Sequence, residues 1–294
     1  MMAAVLDRIS RTRDFGRNEC CKGYYYGSLP VKGVAMAFET LLLDRASNGV
    51  ATLTLNRPDR MNAFTLKMAE EVRSVWLSLR EDKSVRTVVL RAAEGRAFCT
   101  GVDVAEMWPQ PLDRPFDFED PGEFLGPKSN KLWKPVVAAV HGLAAGGAFY
   151  FLNECDIVIC SDDAQFFDPH VTFGMVAAVE PIGALHAMPY QEVMRMALMG
   201  NDERISAQTA LRISLVTEVT ERDKLWGRAA EIAASLAAKS AVAVQGTVKA
   251  IWEALDVPRT AAVARAAGYT QIGNPIEDGK VARVQPPKVK WRAR

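Results

Sequence analysis

The chain has 294 residues, 49% apolar and 24% charged, with 36 basic against 35 acidic side chains and a net charge of +1. That length supports a sizeable core in one large or two modest domains. The near-neutral balance gives no electrostatic basis for binding nucleic acid or a membrane surface.

Five cysteines, Cys20, Cys21, Cys99, Cys155 and Cys160, are too irregular for a disulfide framework and form no CxxC metal pattern. A reduced, cytoplasmic setting and no metal site are therefore expected. The longest apolar stretches are interrupted by Asn153, Glu154 and Asp156, so no membrane span is expected. Residues 1–37 show neither helical nor strand periodicity and read as a disordered N-terminal extension. Asp7, Asp14 and Glu19, together with the lack of an apolar core, argue against a targeting segment.

Folded sequence is expected from Phe38. Two strand-like runs, "FETLLLDRA" and "GVATLTLNRP", flank Ser47-Asn48-Gly49, a hairpin signal. Asn62 to Asp82 reads as a helix, with Met68, Val72, Val75, Trp76 and Leu79 at helical spacing and Thr65 as N-cap. "VRTVVLRAA", "PVVAAVHG", "DIVIC" and "AQFF" follow as short buried strands. Strands alternating with helices predict an α/β core over residues 38–205 with largely parallel pairing. After Ser206 the strands are expected to stop. A helical C-terminal domain over 206–284 carries an apolar stripe of Leu225, Ala229, Ile232 and Leu236, and a basic tail fills 285–294.

Two strand-turn-helix junctions carry glycines at their corners. One is "HGLAAGGAFY" (His141–Tyr150), the other "RAFCTGVDVAEM" (Arg96–Met107). Glycine allows close approach to the backbone, and a helix N-terminus offers unpaired N–H groups and the positive end of the macrodipole. Together these suit an oxyanion. Neither junction matches a phosphate loop, since GxGxxG and GxxxxGK[ST] are both absent.

"NRPDRMNAF" (Asn56–Phe64), "RAFCTGVDVAEM" and "KPVVAAVHGLAAGGAFYFLNECDIVICSDDAQF" (Lys134–Phe166) resemble the three signature blocks of the crotonase, or enoyl-CoA hydratase/isomerase, family. They stand in family order and spacing, and the likeness covers about Phe38 to Tyr269. The resemblance implies a spiral of ββα units with a helical C-terminal oligomerisation layer, a homotrimer or dimer of trimers. It also implies an acyl-CoA thioester substrate and no cofactor beyond the CoA that the substrate carries. By the same likeness the thioester oxygen would lie between the backbone N–H groups of Val102 and Gly147. The adenine end of CoA would lie near Val102, Asp103, Val104 and Ala105, and the pantetheine beside Met61, Asn62 and Ala63.

The acids depart from the family pattern. Hydratases of the family place a glutamate three residues after the middle glycine, where this chain has Tyr150. They place another in a block reading QPE, where this chain reads "DPH" with His170 at the position. An imidazole with an ordinary pKa near 6.5 suits proton transfer, and Asp168, two residues earlier, is placed to orient it. Tyr150 can donate a hydrogen bond but is a weak base. Glu180, beside Pro181 in a helix's first turn, reads more as a cap than as a catalyst. His141 reads as structural, as does His186. In the proline-rich stretch between the second and third blocks, Trp108, Phe116, Phe118 and Phe124 are candidates for shaping an acyl pocket. The function expected is an enzyme on an acyl-CoA thioester: hydratase, isomerase, or a carbon–carbon bond hydrolase or decarboxylase. An acyl-CoA-binding member without turnover is the alternative class.

Overall fold

The computed structural model describes residues 38–107 and 120–272, with a short hairpin at Ile276–Glu277 and Lys280–Val281. The expectations for residues 1–37, for Trp108, Phe116 and Phe118, and for the tail from 285 lie outside the described residues.

β1 (Leu41–Arg45) and β2 (Val50–Leu55) pair antiparallel across the Ser47-Asn48-Gly49 turn. Gly49 takes φ +85°, and Asn48 Oδ1 accepts from Val50 N at 3.2 Å. α1 (Leu66–Glu81) is capped by Thr65, whose side chain accepts from Met68 N. The helix starts four residues later than the apolar pattern indicates, because Met61 and Asn62 both sit in the left-handed region and turn the chain before it can coil.

β3 (Thr87–Ala92), β4 (Ala97–Cys99) and α2 (Val104–Met107) follow. Next come β5 (Val136–Val140), β6 (Leu143–Ala145), α3 (Ala148–Leu152), β7 (Ile157–Ser161) and β8 (Gln165–Phe167). The remainder comprises α4 (Val179–Ala184), α5 (Tyr190–Met199), β9 (Ile205–Ser206), α6 (Ala207–Arg212), β10 (Glu218–Thr220), α7 (Leu225–Ala237), α8 (Ala241–Glu253) and α9 (Arg259–Tyr269).

Two sheets form the α/β body. The larger has the order β1-β2-β3-β5-β7-β10 and is parallel except at β1. The smaller has the order β4-β6-β8-β9 and is parallel except at β9. Alternation along the central strands divides the side chains between two cores. Val88, Leu90, Val136 and Ala138 face the cluster containing α1, with Met68, Val72 and Trp76 buried. Val89, Val137 and Ala139 face α7, which buries Leu225, Ala229, Ala233 and Ala237 at four-residue spacing.

Strands do not end at Ser206, as the sequence pattern indicates. β10 adds a sixth strand beside β7, with Glu218 opposite Ile159. Three residues are too few to show a period of two, which is why the pattern hides this strand. α7 likewise belongs to the core rather than to a separate layer, and its buried face runs through Ala233 and Ala237, with Ile232 and Leu236 only partly buried. α8 and α9 pack on one another and bury no residue. Among the described residues no helix is long and apolar enough to cross a membrane.

Trp76 ties α1 to the loop that borders the site. Its ring is fully buried, and Nε1 donates to Leu125 O at 2.9 Å. Trp76→Phe removes ring volume and leaves that carbonyl unpaired, so the expected loss is about 2 kcal/mol in urea unfolding.

Candidate active site

The smaller sheet assembles the site. β4, β6 and β8 run parallel, with Cys99 opposite Ala144 and Ala145 opposite Phe167. The three turns that follow them therefore open on one edge, at the carboxyl ends of the strands, where ligands of α/β proteins are bound. The first turn carries Thr100 to Val102, the second Gly146 and Gly147, and the third Asp168 to His170.

The first two turns touch. Gly101 has φ +86°, and a Cβ there would lie 2.9 Å from Gly147 N, so this position requires glycine on both conformation and space. Val102 forms a parallel bridge with Phe64: Phe64 N donates to Gly101 O and Asp103 N donates to Phe64 O, each at 2.8 Å. In such a bridge the residue between the two bonds, Val102, directs its own N–H away from the partner strand. Gly147 is the N-cap of α3, so its N–H belongs to the unpaired set at a helix start. Two main-chain donors thus stand at the junction of adjacent turns.

The third turn brings in the acids. Asp168 Oδ1 accepts from His170 N at 3.0 Å and pairs with His170 Nδ1 at 2.6 Å. The intervening Pro169 is helical rather than extended, so this compact turn, and not strand alternation, brings the two side chains together. With Nδ1 committed to Asp168, Nε2 faces outward, 3.7 Å from Glu180 Oε1. The hydrogen bond to Asp168 raises the His170 pKa above its ordinary 6.5. His170 also borders the second turn, since a Cβ on Gly146 would lie 3.7 Å from its Cε1.

Glu180 keeps the helix-start role that its place beside Pro181 indicates, its carboxyl meeting its own backbone N–H, and it also faces His170. It lies in the first turn of α4, and its carboxyl is buried against His170. Burial raises its pKa above 4.5. Asn153 fixes its backbone: Nδ2 donates to Glu180 O at 2.9 Å, and Gly183 leaves room for that amide. One donor atom from each of Asp168, His170 and Glu180 lies within 4.8 Å of the others, a spacing that a divalent cation could also span.

Tyr150 stands one helical turn beyond Gly147, on the same side of α3. Its hydroxyl donates to Asp120 Oδ2. Burial first, and the Asp120 bond second, push the phenol pKa far up, so Tyr150 holds its proton. The sequence pattern gives Asp120 and Gly122 no role, and marks Asn153 only as a break in an apolar stretch. The turn signal Asp120-Pro121-Gly122 marks the place but not the partner.

Residues placed near CoA by the resemblance divide into two groups. Asn62 is fully buried, accepting from Arg57 N at 2.8 Å and donating to Ala97 O at 2.9 Å, and Ala63 is also buried. Asp103 is buried and paired with Arg57 at 3.1 Å. These side chains brace the loops. Met61, Val102, Val104 and Ala105 are exposed and available to a ligand. His141 is fully buried and edge-on to Trp226, with burial lowering its pKa to about 4, so it is neutral. Phe124 is partly buried, packed on the main core beneath Arg73.

Known proteins share the sequence and fold of this chain. The family model described as enoyl-CoA hydratase/isomerase matches residues 45–276. The (E)-benzylidenesuccinyl-CoA hydratase of Thauera aromatica is 34% identical over 213 residues, covering 72% of this chain and 82% of that one. The short-chain-enoyl-CoA hydratase of Clostridium acetobutylicum is 32% identical over 218 residues, covering 74% and 82%. A crystal structure of an enoyl-CoA hydratase/isomerase from Mycobacterium paratuberculosis superposes with a TM-score of 0.74 at 37% identity, covering 80% of this chain and 90% of that one. On this extent of sequence and fold, the chain belongs to the enoyl-CoA hydratase/isomerase, or crotonase, family of enzymes that act on acyl-CoA thioesters.

Proposed function

We propose that the protein adds water to a 2-enoyl-CoA thioester, or catalyses the reverse dehydration, using Glu180 and His170 where family hydratases use two glutamates. The observation that carries this reading is the 3.7 Å separation of Glu180 Oε1 and His170 Nε2 beside the Val102 and Gly147 donors. That distance is too long for a direct hydrogen bond and can be spanned by one water bound to both atoms.

The thioester oxygen accepts from Val102 N–H and Gly147 N–H. Glu180 takes a proton from the water as its oxygen bonds to the β-carbon, and the double-bond electrons pass to the thioester oxygen as an enolate. The two N–H groups stabilise that charge; one such donor is worth about 3–4 kcal/mol. His170 then protonates the α-carbon from Nε2, and Asp168 holds the ring and supports its charged form. The proton gained by Glu180 returns to His170 across the same gap or through solvent. The hydrogen bond to Asp168 favours the charged histidine that this step needs. The names of the two relatives quoted, both hydratases, support the same direction. A second reading is double-bond isomerisation with Glu180 alone carrying the proton between carbons, favoured by the burial that makes this carboxyl a better base.

Assembly as a homotrimer or dimer of trimers belongs to the same proposal. α8 and α9 contain no fully buried residue and, with the turn between them, expose Val242, Ile251, Leu255 and Val263, an apolar surface that further copies would cover. The three described thiols, Cys99, Cys155 and Cys160, are free, which fits a reduced cytoplasm.

Three outcomes are expected. Turnover should rise with pH as Glu180 ionises above 4.5 and fall as His170 loses its proton above 6.5; Asp168→Asn should move the falling limb to lower pH. A rate that climbs through the His170 titration would reverse the assigned roles. His170→Ala and Glu180→Gln should each lower kcat by about 10²-fold or more while a CoA ester still binds in calorimetry. Light scattering should give a mass at least three times the 32.3 kDa chain, and a monomer at micromolar concentration would remove the assembly.

A further inference from the structure

Tyr150 stands among acids. Tyr150 donates to Asp120 Oδ2, and Asp120 Oδ1 accepts from Gly122 N at 2.9 Å, so both carboxylate oxygens are engaged. The phenol ring lies directly on Gly122, where a Cβ would come within 2.3 Å of Tyr150 Cζ. The loop is anchored as well: Trp76 holds Leu125, and Asn130 Nδ2 donates to Gly126 O at 2.7 Å and Phe124 O at 3.0 Å. Asp120 is therefore a fixed charge rather than a mobile one. Because the phenol's proton goes to Asp120, Tyr150 offers an incoming acyl group only a lone pair.

The other charges here have the same sign. The charged groups acting on Tyr150 are Glu180, Asp120 and Glu123, and those acting on Glu180 are His170, Asp168 and Asp120. Among the described residues, the cation in this set is His170, already matched by Asp168 at 2.6 Å. Arg73 packs on the same loop but sits 4.3 Å above the Phe124 ring, and Lys128 is paired with Asp156 at 2.7 Å.

We infer that Asp120, assisted by Glu123 and Glu180, determines specificity by restricting the enzyme to acyl chains without a free carboxylate. This rests on the thioester placement proposed above, which directs the acyl chain between His170 and Tyr150. A carboxylate on that chain would leave water to stand beside fixed like charges, with no free cation among the described residues to pair with. Rejection by charge of this kind separates substrates that the apolar walls of a pocket would accept equally.

Binding of unreactive saturated esters tests this without turnover. In calorimetry, hexanoyl-CoA should bind about 10²-fold more tightly than glutaryl-CoA, which has a similar length and a carboxylate at its end. Asp120→Asn should narrow that ratio by about tenfold, and Glu123→Gln should narrow it less, because Glu123 is exposed. Equal affinity of the native protein for the two esters overturns the inference. So does an Asp120→Asn variant that weakens both esters alike, since a merely structural prop would behave that way, and so does failure of both esters to bind. If the hydration reading alone is wrong, 2-enoyl-CoA esters are not turned over while the discrimination between saturated esters persists.

Discussion

The parallel pairing of β4, β6 and β8 is the constraint on which the site depends. These strands are three residues long each, and their side chains contribute little to the chemistry. What they supply is register. With Cys99 opposite Ala144 and Ala145 opposite Phe167, three turns leave the sheet at one level, and Gly101 meets Gly147 backbone to backbone. The register shifts between Ala97 and Cys99, an irregularity that re-aims the chain just before the left-handed Gly101. A slip by one residue would turn the Val102 N–H toward Phe64 and break the pair of donors.

Around that backbone frame, the electrostatics follow from burial. Asp168 is completely buried, and an ionised carboxylate there needs a cation. His170 is the cation within reach, and holding it raises its proton affinity. Glu180 is buried by α4 against the same ring, and burial raises its pKa. The two groups are thereby brought close in space, at a separation that one water can bridge.

Much of this was legible in sequence. The hairpin, α1 with its Thr65 cap and the buried strands follow from spacing alone, and the glycine-cornered turns from the chemistry of glycine. The coupling of Asp168 to His170 was visible too, though the backbone reason was a turn rather than a strand. Other features were hidden for physical reasons. Glu180 looks like a cap because its neighbours fit a helix start, and only the packing of α4 on α3 shows where its carboxyl points. Asn62 and Asp103 carry polar side chains in the block that resembles a ligand loop, yet their partners are Arg57 and Ala97. Asp120 lies at the end of an aperiodic stretch, 30 residues from Tyr150, and no local pattern can announce a contact at that separation.

The loss of a carboxylate at position 150 then has a local explanation. Asp120, Glu123 and Glu180 already act on that point of α3. A glutamate there would face them across a partly desolvated space, and one of the acids would have to take up a proton. A phenol instead donates to Asp120, neutralises none of the neighbouring groups and leaves Glu180 as the carboxyl beside His170 Nε2. In the reaction proposed above, the acid–base pair is carried by α4 and the turn after β8 rather than by α3, while the proposed main-chain donors stay where the glycines put them. On the proposed reading, changing which elements carry the acids alters the wall that the acyl chain meets, so reaction chemistry and acyl selectivity draw on the same cluster of charges.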